Sequence, residues 1–170
     1  MLTVQHLFQI GMDRSLPELL TPPEGLSIGL GESGIKKVAA DRSLGLPEWH
    51  WPHDPLPMPD ASVAIFHAYH FFEHLTGEEA ILLLQAIEKK LVPGGIVQFC
   101  TPYYKSNMAS QDLTHKSYWT EDTFKTLFNN AYYDPSAGRT QAWSLRVHFQ
   151  AIIGVVERNM ALVGQLVKEV

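Results

Sequence analysis

Three short stretches carry residues whose types and spacing suit chemistry. Gly29-Leu30-Gly31-Glu32-Ser33-Gly34 reads G-x-G-x-x-G where the apolar run from Leu26 to Leu30 ends. Glycines there let the backbone pass close to a nucleotide-like ligand. A dinucleotide site would place a whole helix and a second strand before an acidic residue about 20 positions on. Asp41 instead follows Gly34 by only seven residues. That interval cannot hold both elements, so the spacing argues against a nicotinamide cofactor. It leaves a loop and strand whose terminal carboxylate, Asp41, can accept both hydroxyls of a ribose; the alternative is a glycine turn with a solvated aspartate.

The second stretch, His70-Phe71-Phe72-Glu73-His74, is H-x-x-E-H. In the inverted zinc peptidases two histidines in this order bind zinc and the glutamate is the base. Their third ligand is normally a downstream carboxylate, which only a guess at Glu121 or Glu157 supplies here, so no metal is expected. The favoured reading has Glu73 and His74 open a helical segment, with Glu73 fixed by hydrogen bonds beside a ligand mouth. The third stretch, Asp112-Leu113-Thr114-His115, lies in a polar loop between a strand and a helix. Such loops build substrate contacts in doubly wound domains. Asp112 can orient His115 as a general base, or the pair can simply tie the loop together. Tyr103, Tyr104, Tyr118 and Trp119 flank it as pocket lining or core. His6, His50, His53 and His148 read as scattered loop and surface histidines.

These residues must be positioned by strands alternating with helices. Leu26 to Leu30 is a strand, and Val38 to Ala40 reads as a second strand run ending on Asp41. Pro47, Pro52, Pro55, Pro57 and Pro59, with Trp49 and Trp51, exclude helix between Leu44 and Asp60 and make a rigid aromatic loop. Val63 to His67 and Ile96 to Cys100 read as buried strands. Between them Thr76 and Glu79 form a capping box, Ala80, Leu83, Leu84, Ile87 and Leu91 share a face, and Pro93-Gly94-Gly95 stops the helix. A further helix starts at Thr120 and presents Phe124, Leu127, Phe128 and Ala131. Trp143 to Phe149 alternates as an antiparallel edge strand open to strand pairing. Ala151 to Val156 continues it with Gly154 as a bulge or turn, and Asn159 to Val170 forms a tail helix. The expected fold class is α/β, a Rossmann-like, doubly wound and mostly parallel sheet with antiparallel C-terminal strands.

Composition narrows the field. A length of 170 residues with 45% apolar content suits a single domain. Within it, residues 1–25 are a lead-in, 26–130 a cofactor-binding core, and 131–170 the C-terminal strands and tail. Charged residues are 18% and the net charge is -5, which disfavours a nucleic-acid partner. A lone Cys100 excludes an intramolecular disulfide. With no apolar run near the roughly 18 to 20 residues of a membrane span, and no signal segment, a cytoplasmic protein is expected.

Taken in order, Leu26-Ser27-Ile28-Gly29-Leu30-Gly31, Asp41, Asp54-Pro55-Leu56-Pro57-Met58-Pro59-Asp60-Ala61-Ser62-Val63, Glu73-His74-Leu75 and Leu91-Val92-Pro93-Gly94-Gly95 resemble the class I S-adenosylmethionine-dependent methyltransferases. The likeness is to the small branch with a short first crossover, and it spans about residues 26 to 130. It implies that Gly29 and Gly31 pass under the cofactor's amino-acid portion, with Ser27 where relatives usually carry an acidic residue or Asn. It also implies that Asp41 holds the ribose, that Asp54 to Leu56 edge the adenine, and that His67 to His70 lie near the sulfonium. Similar members often carry an Asp and a His where Asp112 and His115 stand. Thr101-Pro102-Tyr103-Tyr104 lacks the leading Asn or Asp of amino-group DNA methyltransferases. The implied function is methyl transfer from S-adenosylmethionine to a small molecule or glycan. The alternative is a non-catalytic binding or assembly module on the same fold.

Overall fold

The computed structural model describes residues 19–31, 40–124, 148–156 and 161–170. Strand β1 (Leu26–Leu30) and strand β2 (Arg42–Leu44) are followed by β3 (Val63–Tyr69) and a 3-10 turn (Phe72–His74). Helix α1 (Gly77–Lys90) leads directly into β4 (Leu91–Pro102), then come the short α2 (Asn107–Ser110), β5 (Phe149–Val156) and β6 (Ala161–Lys168). One six-stranded sheet runs β2-β1-β3-β4-β6-β5. β2, β1, β3 and β4 are parallel, while β6 is antiparallel to both of its neighbours. The expected mostly parallel α/β sheet with antiparallel C-terminal strands is the observed one.

β3 forms because Val63-Ala64-Ile65-Phe66-His67-Ala68 is buried on both faces, the continuous run a central parallel strand requires. Across the sheet Ile28, Phe66, Val97 and Leu166 stand in register. They share one core with Leu83, Leu84 and Ile87 of α1. The period of two sends the intervening row, His67, Gln98 and Gln165, to the opposite face. There Leu20 exchanges two hydrogen bonds with the Gln165 amide, donating to Oε1 at 2.8 Å and accepting from Nε2 at 3.0 Å.

The crossover helix follows its sequence signals. Thr76 Oγ1 accepts from the Glu79 N–H (3.2 Å), and Glu79 Oε2 accepts from the Thr76 N–H (2.7 Å). Replacing Thr76 by Ala removes half of this reciprocal cap. About 1 kcal/mol of stability should be lost in a urea titration; an unchanged midpoint would show that the cap contributes nothing.

Several elements differ from the sequence expectation. The second strand begins at Arg42, after Asp41, rather than ending on it. β3 and β4 run past His67 and Cys100, and β4 takes in Pro93-Gly94-Gly95 because α1 stops at Lys90. No bulge occurs at Gly154, which pairs in unbroken register with Val163. The tail is strand β6 in place of a helix: between β4 and β5 a strand satisfies backbone groups on both sides, and this outweighs a weak helical period. The lead-in up to residue 18, Val38, the helix beyond Phe124 and the alternation from Trp143 to Val147 lie outside the described residues. Among those described, no helix is long and apolar enough to cross a membrane.

Candidate functional site

The order β2-β1-β3 means that the chain leaves β1 to one side and then crosses back to the other. Such a switch point opens a crevice at the carboxyl ends of the strands, where open α/β sheets bind ligands. A cavity of about 520 Å³ lies there. Its walls come from the segments after three strands: Gly31 after β1, Gly45 and Leu46 after β2, and His70 and Phe71 after β3. Trp49, His50, Trp51, His74, Leu75, Thr114 and Lys116 complete it.

Local chemistry shapes these walls. Gly31 has φ +78° and donates its N–H to Leu44 O (2.8 Å), turning the chain away from β1. The Phe71 ring reaches within 2.7 Å of where a Cβ on residue 31 would stand, so only glycine fits. Phe71 stacks on Trp49, which stacks on Trp51, both with ring centroids 6.2 Å apart. Both indoles are anchored through Nε1, Trp49 to Pro55 O and Trp51 to Glu79 O. Tied down in this way, the proline-rich loop presents a fixed aromatic wall.

Behind His74 lies a polar cluster. Glu73 is 1% exposed, yet both carboxylate oxygens are bound, Oε1 by His70 Nδ1 (3.0 Å) and Oε2 by the Thr101 hydroxyl (3.0 Å). The Glu73 carbonyl accepts the N–H groups of Lys116 (2.7 Å) and Ser117 (3.2 Å), strapping the 112–117 loop onto the 3-10 turn. This strap brings the His74 and His115 rings to 4.9 Å. Asp112 Oδ1 accepts from the Thr114 N–H (2.8 Å) and hydroxyl (2.7 Å), and these bonds hold its carboxyl below the usual carboxylate range.

The sequence-derived site residues divide between two ends of the sheet. Gly31 and His70 line the cavity, and Gly29 stands in β1 with its Cα side packed towards Ser43 Oγ. Asp41 lies elsewhere: it sits beside Ser27, at the amino-terminal start of β2, where Oδ2 accepts the Ser27 N–H (2.8 Å). Its displacement follows from the strand starting at Arg42, after the run that was expected to end on Asp41. Asp54 accepts the His50 N–H (2.7 Å), Leu56 is core, and neither lines the cavity. His67 is 5% exposed in the polar row, with Nε2 3.1 Å from Ser27 Oγ and burial lowering its pKa to about 4. Asp112 does not orient His115 by a hydrogen bond, because their nearest side-chain atoms are 3.9 Å apart and His115 Nδ1 donates to Ala109 O (3.0 Å). Glu73 is held by hydrogen bonds, as the sequence indicates, but it is buried and does not line the cavity. Gly45, Leu46, Phe71 and Lys116 were not foreseen, although the proline and tryptophan clustering of the 44–60 loop signalled part of this wall.

The architecture is shared with solved methyltransferases. A chain of the complex between the Haloferax volcanii Trm112 methyltransferase activator and a methyltransferase superposes with TM-score 0.54 at 15% identity, covering 99% of this chain and 89% of that one. A SAM-dependent methyltransferase from Methanosarcina mazei gives 0.47 at 9% identity, covering 87% and 94%. No protein-family model and no curated protein sequence matches the chain. The superposition at 0.54 shows the fold to be that of the class I methyltransferases, as the sequence motifs imply.

Proposed function

We propose that the chain binds S-adenosylmethionine in the switch-point cavity and acts in the cytoplasm as a methyltransferase on a small-molecule or glycan acceptor. The observation that carries this reading is the cavity itself. It is of ligand size, it lies off the carboxyl ends of β1, β2 and β3, and it is walled by two indoles and a phenyl ring. Those walls fit a purine. The described lining holds no carboxylate, so the ribose hydroxyls would meet His50, His70 and backbone groups rather than Asp41.

When bound, the cofactor supplies an electrophilic methyl group on a sulfonium, whose departing thioether needs no proton. The chain's own task is alignment and exclusion of water. The stacked Trp49, Trp51 and Phe71 form the apolar side, while His50, His70, His74 and Lys116 offer hydrogen bonds to an oxygen-rich acceptor. The net charge of -5 weighs against nucleic acid.

Calorimetric titration with S-adenosylmethionine and its demethylated product tests this, with NADH as control. Micromolar binding of the sulfonium pair alone is expected. Leu46 is 60% exposed at the rim. Leu46→Trp should weaken binding at least tenfold with an unchanged melting temperature. A folded chain that binds neither compound would end the proposal. A second reading, a non-catalytic module, is favoured by one observation: the Phe71 ring packs over Gly31 on the side a cofactor would approach. A folded chain that binds neither compound would support it.

A further inference from the structure

The structure assigns a divalent transition-metal site, of the zinc class, to Glu73, His74 and His115, with its open coordination positions towards the cavity. Each residue offers a ligand atom within 4.8 Å of the other two, which places all three within about 2.8 Å of a common point. Zinc takes such ligands at about 2.0–2.2 Å, so a side-chain movement of less than about 1 Å closes the set. Two imidazoles and one carboxylate match the donor set of catalytic zinc and of facial-triad sites, both of which leave positions for an exogenous ligand.

The hydrogen bonds at Nδ1 leave one ring nitrogen of each histidine free to coordinate. The Thr114 hydroxyl gives its only proton to Asp112 Oδ1 (2.7 Å), so at its 3.0 Å contact with His74 Nδ1 it must accept. His74 is therefore protonated on Nδ1, and its lone pair lies on Nε2. A carbonyl oxygen can only accept, so the His115 Nδ1 contact with Ala109 O likewise leaves the lone pair of His115 on Nε2. Metal-binding histidines characteristically donate their second N–H to a neighbouring group of this kind. Glu73, buried and held by His70 and Thr101, contributes charge from a fixed position. H-x-x-E-H contains two of the three ligands, but the third is the histidine of the 112–117 loop rather than a distant carboxylate, and His70 braces Glu73.

His74 and Thr114 line the cavity, whereas Glu73 and His115 do not, so a ligand entering it meets the site from the His74 side. Such a ligand offers oxygen: a hydroxyl, a diol or a carboxylate. A metal there would make a coordinated hydroxyl more acidic; that use, on a methyl acceptor, rests on the function proposed above, whereas the site itself does not.

The full-length chain, stripped with a chelator, is titrated with Zn²⁺ by calorimetry and with Co²⁺ by visible absorption. One ion per chain is expected, with the Co²⁺ d–d bands of a low-coordinate nitrogen and oxygen site. His74→Ala and His115→Ala should each lower affinity at least tenfold, and Thr114→Val, which removes the acceptor of His74 Nδ1–H, about tenfold. His148→Ala, at an exposed pair with Glu88, should change nothing. Circular dichroism on every variant establishes folding, and His115→Ala, a loop change, leaves the apolar core intact. Binding that survives both histidine substitutions, or a folded parent chain that takes up no ion, overturns the site. Neither result depends on S-adenosylmethionine, so failure here is distinct from failure of the methyltransferase reading.

Discussion

Lowering the pH from about 7 to about 4 should cost the fold about 3 kcal/mol through His67 alone. This imidazole is 5% exposed between Ser27, Tyr69 and Gln98; among the described residues no carboxylate is hydrogen-bonded to it and Nδ1 has no partner. Burial without a compensating anion lowers its pKa from 6.5 to about 4. The sign follows from proton counting. Between those two values the unfolded chain holds a proton on this ring and the native chain does not, so stability rises with pH by about 1.4 kcal/mol per unit. Above about 6.5 the ring is neutral in both states and contributes no slope. Urea titrations of the parent chain and His67→Gln at both ends of this window isolate the effect, because every other ionisable group is common to the two chains. Parallel pH profiles for the two chains would mean that water or a neighbouring group already solvates the charged ring.

Gly164→Val should be at least as damaging, by about 3 kcal/mol or more. Gly164 lies in β6, between Phe99 of β4 and Ile153 of β5. A Cβ built there collides with the backbone carbonyl of Ile152, and it meets the Phe99 ring at 3.0 Å and the Ile153 Cα at 3.1 Å. Backbone on the β5 side cannot yield as a flexible side chain does. Phe99, for its part, is fully buried and stacked on Phe124 at 4.7 Å, so it has nowhere to move. A glycine inside a strand marks such a close approach. Equilibrium unfolding should show a lower midpoint for Gly164→Val, and a smaller loss for Gly164→Ala. A midpoint equal to the parent's would show that β5 does not pack on β6 in this register.

Much of the parallel half of the sheet was legible because its signals are local. The capping box at Thr76 and the apolar run of β3 each require only neighbours a few residues away. The glycine turn after β1 was legible too, but its reason was not: the residue that excludes a side chain from Gly31 is Phe71, forty positions later. β6 was misread because the apolar spacing from Asn159 to Val170 carries a weak helical period. Only the vacancy between β4 and β5 decides for a strand, through backbone hydrogen bonds on both edges. Asp41 was misplaced for a related reason, since a strand of three residues has too few side chains to fix where it begins.

By itself the sequence determined the alternation of strands and helices, the methyltransferase-like order of motifs, and the residue types available at the mouth of the crevice. Those properties rest on periodicity, capping and composition, which act over a few turns of chain. The tertiary structure alone decided which of those residues meet. It carried Asp41 to the far end of the sheet and stacked Phe71 on Trp49 and Trp49 on Trp51. It also drew His115 across to Glu73 and His74 through the hydrogen bonds of the 112–117 loop. Contacts between positions about forty residues apart depend on strand register and loop closure, and no local pattern in the chain encodes them.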